Sequence, residues 1–220
     1  NIGVLSTTDS AISDLSLHIE IKDSKWDGRI IPTYRPDSVI DPQSFEFKNN
    51  LVKLGELTNE DISSWDGYLN AHKSRRLFFK EMGATATDHG HPTARTENLS
   101  YNEAEQLYKR ILAEEFNSEE ADQFRGQMLT EMAKMSCEDG LVMQIHPGSR
   151  RNHSNKIFNQ FGLDKGFDIP GATDYVSALK PLLDEVGLRA DLTIILFTLD
   201  ETSYSRELAP MAGVYPALKL

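Results

Sequence analysis

Five short apolar runs, each followed by residues with helical spacing, constrain this chain more than any other feature. They span 2–9, 29–34, 84–87, 141–145 and 192–199. Such β-α alternation implies a parallel sheet covered by helices. The intervening spacing predicts helices over 13–23, 45–54 (stopped by Gly55), 58–82 (opened by Thr58-Asn59-Glu60-Asp61 and ended by Gly83) and 100–115. The last of these opens on a capping box, Ser100 with Glu103. Further helices are expected over 118–137, opened by Ser118 and closed by Asp139-Gly140, and over 174–186, where Pro181 marks a true start or a kink. Prolines 32, 36 and 42 keep their neighbourhood out of helix, and 162–171 reads as a glycine-rich connection.

No Gly-x-Gly-x-x-Gly follows the first run and no Walker pattern occurs, which weakens a nucleotide-binding fold. The wide spacing of the later runs suits an elaborated (β/α)8 TIM-type barrel with extra helices. Five strands cannot close such a barrel, so the expected fold is a partial one, about five of eight strands, in a single domain over 1–220. The opening on Asn1 and the pattern still running at Leu220 read as cut ends of a longer enzyme.

Composition narrows the partners. The net charge is −11, from 34 acids against 23 bases, which argues against nucleic acid or an anionic membrane surface. A small anionic molecule needs only a few well-placed arginines. No apolar run approaches the length of a membrane span. The single cysteine, Cys137, excludes an internal disulfide and suits a reducing cytoplasm, where it reads as a packing residue.

The chemistry gathers where the runs end. Gln144-Ile145-His146-Pro147-Gly148-Ser149-Arg150-Arg151-Asn152 puts an imidazole at a strand tip with anion-binding groups just beyond. In a parallel sheet that edge is where active sites form. His146 suits acid/base work, ligation or hydrogen bonding to substrate. Arg150 and Arg151 point opposite ways if extended, one toward substrate. Arg35, between Tyr34 and Pro36, needs a partner, either Asp37 or a substrate carboxylate. Asp88-His89-Gly90-His91 offers an active-site carboxylate in Asp88. Its His-x-His spacing ligates zinc when both rings leave one strand face, but Gly90 and Pro92 put His91 in a loop, so no metal ligand is assigned here. His18 and His72 read as surface or packing residues, His153 as a polar loop residue, Arg75-Arg76 and Glu119-Glu120 as solvated helix faces, and Trp26 and Trp65 as packing.

At these tips the chain resembles the uronate (glucuronate) isomerases of the amidohydrolase superfamily. The matching pieces, in order, are Ser6-Thr7-Thr8-Asp9, Tyr34-Arg35-Pro36-Asp37, Lys80-Glu81-Met82-Gly83-Ala84 leading to Asp88-His89-Gly90, and Gln144-Ile145-His146 with Arg151-Asn152. Gly166-Phe167-Asp168, Ile194 to Leu199 and Glu207 to Tyr215 follow. The resemblance implies a distorted (β/α)8 barrel that interconverts D-glucuronate with D-fructuronate, or D-galacturonate with D-tagaturonate, by proton transfer through a cis-enediol. It implies catalytic roles for Asp88, His146 and Arg151, and substrate binding by Arg35, Arg150, Arg151 and Asn152. The family's first-strand His-x-His, a nearby tyrosine and a last-strand aspartate fall outside this chain. The cofactor implied is therefore at most one zinc ion, held by residues elsewhere. The alternatives are a metal-dependent hydrolase of the same superfamily and an inactive sugar-acid-binding piece. Open strand edges would be paired, covered or prone to association, which leaves a homo-oligomer open as a partner.

Overall fold

The computed structural model describes residues 2–163 and 165–220; Asn1 and Asp164, the latter inside the glycine-rich connection, lie outside the described residues. Six parallel strands form the main sheet: β1 (Leu5–Ser10), β2 (Ile30–Arg35), β3 (Ala86–His89), β4 (Val142–Ile145), β7 (Ile194–Leu196) and β8 (Leu218–Lys219). A separate antiparallel pair, β5 (Ser149–Arg150) with β6 (Ile169–Pro170), follows β4. The sheet order is β1-β2-β3-β4-β7-β8, so each strand of this sheet lies beside the sheet strand that follows it along the chain. A doubly wound sheet reverses its order at a switch point; this one winds in a single direction, as barrels do.

The helices are α1 (Ser16–Asp23), α2 (Phe47–Thr58), α3 (Trp65–Glu81), α4 (Tyr101–Leu112), α5 (Ser118–Asp139), α6 (Asn155–Phe161), α7 (Tyr175–Ala178), α8 (Lys180–Val186), α9 (Glu201–Ser203) and α10 (Ala209–Val214). A single 3-10 turn, Asp37–Val39, follows β2, and a π-helical turn, Tyr204–Leu208, joins α9 to α10.

Several expectations need correction. The sheet has six strands rather than five, because β8 is only two residues long and carries no periodic signal. The first strand begins at Leu5 and is not buried; it is an edge, with Leu5 48% exposed. Helix α2 runs through Gly55 to a left-handed Asn59. Gly55 is there for contact: a Cβ would meet Ile62 Cγ1 at 3.1 Å. Helix α3 starts at Ser64, whose hydroxyl accepts from the Gly67 N–H, while Asp61 spends its carboxylate on the preceding turn. Asn117, not Ser118, caps α5 and makes the box with Glu120. The helix expected over 174–186 breaks at Leu179, with Pro181 in the first turn of α8. Of the run 192–199, only 194–196 pairs as strand.

Pro32 inside β2 is tolerated because of where pairing occurs. β2 pairs along its whole length with β1, but with β3 only at Tyr34↔Thr87, beyond the proline. Behind the sheet, α3, α4 and α5 bury a nest of aromatic rings: Trp65, Tyr68, Tyr108 and Phe124. Trp65 packs as expected, whereas Trp26 is 55% exposed. His72 is fully buried, bonded through Nδ1 to the Tyr34 hydroxyl at 2.7 Å.

Arg75 and Arg76, expected on a solvated face, are buried. Arg75 donates to the Ala11 carbonyl at 2.8 Å. Arg76 makes a bidentate pair with Asp139, at 2.6 and 3.0 Å, and donates to Ser136 Oγ at 2.8 Å. The helical pattern misleads here because a guanidinium that finds carboxylate, hydroxyl or carbonyl acceptors can stand among apolar side chains.

Candidate active site at the strand tips

β2, β3 and β4 lie side by side, so their carboxyl ends open on one rim. Asp88 pairs in register with Gln144, and His89 with Ile145. The ladder continues one step past the strands: the His146 N–H donates to the His89 carbonyl at 3.1 Å, and the Phe197 N–H to the Ile145 carbonyl at 2.9 Å. His146 therefore leaves the sheet edge from a fixed backbone.

Three of the expected site residues meet there. Asp88 bridges the other two: Oδ1 lies 3.0 Å from His146 Nε2, and Oδ2 lies 3.4 Å from Arg35 Nη1. Arg35 also donates through Nε to Asp37 Oδ2 at 2.8 Å, so Asp37 is a partner that the sequence left open. The same Asp37 oxygen accepts from the Gly90 N–H at 3.0 Å. Gly90 is required by this crowding: a Cβ would stand 2.1 Å from Arg35 Nη2 and 2.9 Å from His146 Cε1.

Beside this cluster lies a cavity of about 630 Å³, lined by His91, His146, Ser149, Arg150, Arg151 and Thr173 among others. Its size suits one small ligand. Ser149 and Arg150 of β5, which pairs with β6, form part of one wall, and Gly148, with φ +91°, makes the turn into it. Arg150 and Arg151 both border this cavity; Arg150 is in strand but Arg151 is already in the turn, so the extended backbone on which opposite facings depended does not reach Arg151. Arg151 also pairs with Asp168 at 3.4 Å. Asp168 accepts from the Asn152 N–H at 2.8 Å, so Asn152, with φ 53°, builds the turn rather than the cavity wall.

Two histidines and an aspartate to which the spacing alone assigned no ligand role also meet here. His91 is in a loop, as expected, but turns back inward and is buried with His89; the two ring centroids are 6.1 Å apart. One donor atom each of Asp37, His89 and His91 lie within 4.8 Å of one another. The expectation of no metal ligand within this chain therefore meets a metal-compatible donor set among the described residues. The signal was present in the His-x-His spacing; the intervening glycine hid it, because the inward turn depends on tertiary packing. Burial holds the His89 imidazole well below the ordinary histidine pKa, with His91 adding to the effect, and burial lowers His91 as well. Both rings are neutral near pH 7, the form that offers a lone pair.

His18, read as surface or packing, reaches Thr7 Oγ1 at 2.8 Å and lies 3.6 Å from Asp9 on the exposed edge strand. Cys137 is half-buried against the core, in keeping with a packing role. No described helix is long and apolar enough to cross a membrane.

Residues 1–219 match the family described as UxaC, glucuronate isomerase. The chain is 63% identical over 220 residues to the uronate isomerase of Rhizobium meliloti (strain 1021), covering all of this chain and 47% of that one. It is 62% identical to the uronate isomerase of Mesorhizobium japonicum, again covering 47% of it. The crystal structure of glucuronate isomerase from Caulobacter crescentus superposes with a TM-score of 0.96 at 53% identity, over all of this chain and 46% of that one. The uronate isomerase of Thermotoga maritima superposes with a TM-score of 0.90 at 29% identity, over 99% of this chain and 48% of its own. The chain thus spans about half the length of these relatives. It belongs to the glucuronate isomerase family.

Proposed function

We propose, with membership of that family as the premise, that this chain is the strand-tip half of a uronate isomerase. The whole protein would interconvert D-glucuronate with D-fructuronate, or D-galacturonate with D-tagaturonate, through a cis-enediol. The reading rests on one observation above the others: at the carboxyl ends of β2, β3 and β4, Asp88 holds both Arg35 and His146, and His146 lines the cavity. The single-direction winding supports a closed (β/α)8 barrel in the whole protein, completed by residues outside this chain.

The roles follow from charge and reach. With Nε2–H donating to Asp88, His146 keeps its lone pair on Nδ1, where it exchanges a proton with a hydroxyl of the open-chain sugar. Asp88 is then the carboxylate that fixes the imidazole's tautomer and aim. Arg35 supplies positive charge next to Asp88, placed to stabilise an enediolate oxygen. Arg150 and Arg151, across the cavity, suit the sugar-acid carboxylate, to which a guanidinium binds in bidentate fashion. A base takes the proton from C2 and returns one to C1, and the resemblance to the family puts the carboxylate for that step outside this chain.

The test is proton NMR of D-glucuronate with the full-length protein in heavy water. Loss of the C2 proton signal with new ketose signals is the expected outcome. Asp88→Asn should slow that exchange by about 10²-fold or more, because His146 loses its orienting charge. No exchange with either D-glucuronate or D-galacturonate would overturn the reading.

A further inference from the structure

We propose that Asp37, His89 and His91 form a divalent transition-metal site contained wholly within this chain. Four buried polar atoms lack a protein partner in one small region: Asp37 Oδ1, His89 Nδ1, and both ring nitrogens of His91. Leaving such atoms unpaired in a protein interior is costly, about 1–3 kcal/mol each. The His91 Nε2 to Asp37 Oδ1 distance is 3.9 Å, and a donor atom of His89 completes a group within 4.8 Å. A tetrahedral zinc with bonds near 2.1 Å holds its donors about 3.4 Å apart, so the group closes on an ion by small side-chain rotations.

The surroundings are those of metal ligands. His89 Nε2 is held by the Thr87 hydroxyl at 3.0 Å, which leaves Nδ1 as the donor. Asp37 is fixed through its other oxygen, Oδ2, by Arg35 and the Gly90 N–H, which leaves Oδ1 for the ion. Two imidazoles and a carboxylate suit zinc, cobalt or iron(II) better than magnesium or calcium, which prefer all-oxygen sites. Three protein donors leave a fourth position for water or a hydroxyl. Charge balance is acceptable: a dication with Arg35 faces Asp37 and Asp88, and an anionic sugar acid brings the sum to zero.

The site does not rest on the isomerase assignment, and its test needs no substrate. Crystals of the full-length wild-type protein, stripped with chelator and soaked in cobalt(II), are measured at the cobalt absorption edge. An anomalous peak between Asp37, His89 and His91 is expected. In solution, His91→Gln and Asp37→Asn should each hold one cobalt fewer per chain than wild type and show a changed visible spectrum. Cobalt bound only elsewhere, with no peak at these residues, would mean that ordered water satisfies them and would overturn the proposal. Failure of glucuronate turnover would leave this result untouched, so the two readings fail separately.

Discussion

The two ends of the sheet each hold buried charged and polar groups, in opposite states of completion. At the amino ends of the strands, Arg76 is 1% exposed in its side chain, and its guanidinium is engaged by Asp139 and Ser136. Lys80 donates to the Asp139 carbonyl, and the Leu141 N–H donates to the Asp139 carboxylate, tying α3, α5 and the entry to β4 together. At the carboxyl ends, His89 and His91 are buried and Asp37 is partly so, and all three keep atoms without a hydrogen-bond partner close to one another. A finished network fixes the fold. An unfinished one holds binding capacity at the expense of stability. The same division between a stabilising face and a reactive face characterises barrel enzymes in general.

Four experiments would break or sharpen that contrast. The largest effect belongs to Arg76→Ala, which strands the Asp139 carboxylate and opens a cavity; it should cost about 3–5 kcal/mol in denaturant unfolding. A loss under about 1 kcal/mol would deny the amino end its structural role. Next is Gly90→Ala at the opposite rim. The added methyl displaces the Arg35 guanidinium, so turnover by the full-length protein should fall about 10²-fold while stability changes by only about 1 kcal/mol. Equal losses of stability and activity would erase the distinction.

The third uses pH and a residue between the two ends. Burial depresses the His72 pKa from 6.5 to about 3, with Arg76 adding to the effect. Between those values the unfolded chain binds a proton that the folded chain refuses. The stabilisation is therefore complete above about pH 6.5 and falls by about 1.4 kcal/mol per unit as the pH drops toward 3. His72→Gln cannot titrate and should flatten the stability profile in that window, read by urea midpoints at a series of pH values. An unchanged slope would mean that His72 protonates while still folded. The smallest effect is expected from Arg151→Ala, in the exposed turn after β5. It should raise KM about fivefold, equivalent to about 1 kcal/mol, with little change in kcat. A large fall in kcat instead would move Arg151 from substrate binding into the chemistry.

Legibility in the sequence tracked how local the cause was. The capping box of Ser100 with Glu103 needs only three residues' separation, and it stands in the structure as expected. β2 ends at Arg35 and β4 before His146, as the apolar runs indicate. Arg75 and Arg76 were misread because their partners lie 63 residues away or more in several bonds, beyond any window of periodicity. His91 lies in a loop as expected, but its burial was not legible: a glycine between two histidines says nothing about where the second ring turns.

By itself the sequence determined the alternation of strand and helix, the parallel sheet it requires, and the tips at which Arg35, Asp88 and His146 emerge. Those follow from burial patterns and chain connectivity, which are written along the chain. Only the tertiary structure decided that Asp88 would join Arg35 to His146, that Asp37 would anchor Arg35, and that two histidines would face an aspartate in a buried group. Such meetings depend on the register between neighbouring strands and on loop conformations selected by packing. Neither is specified within a single segment.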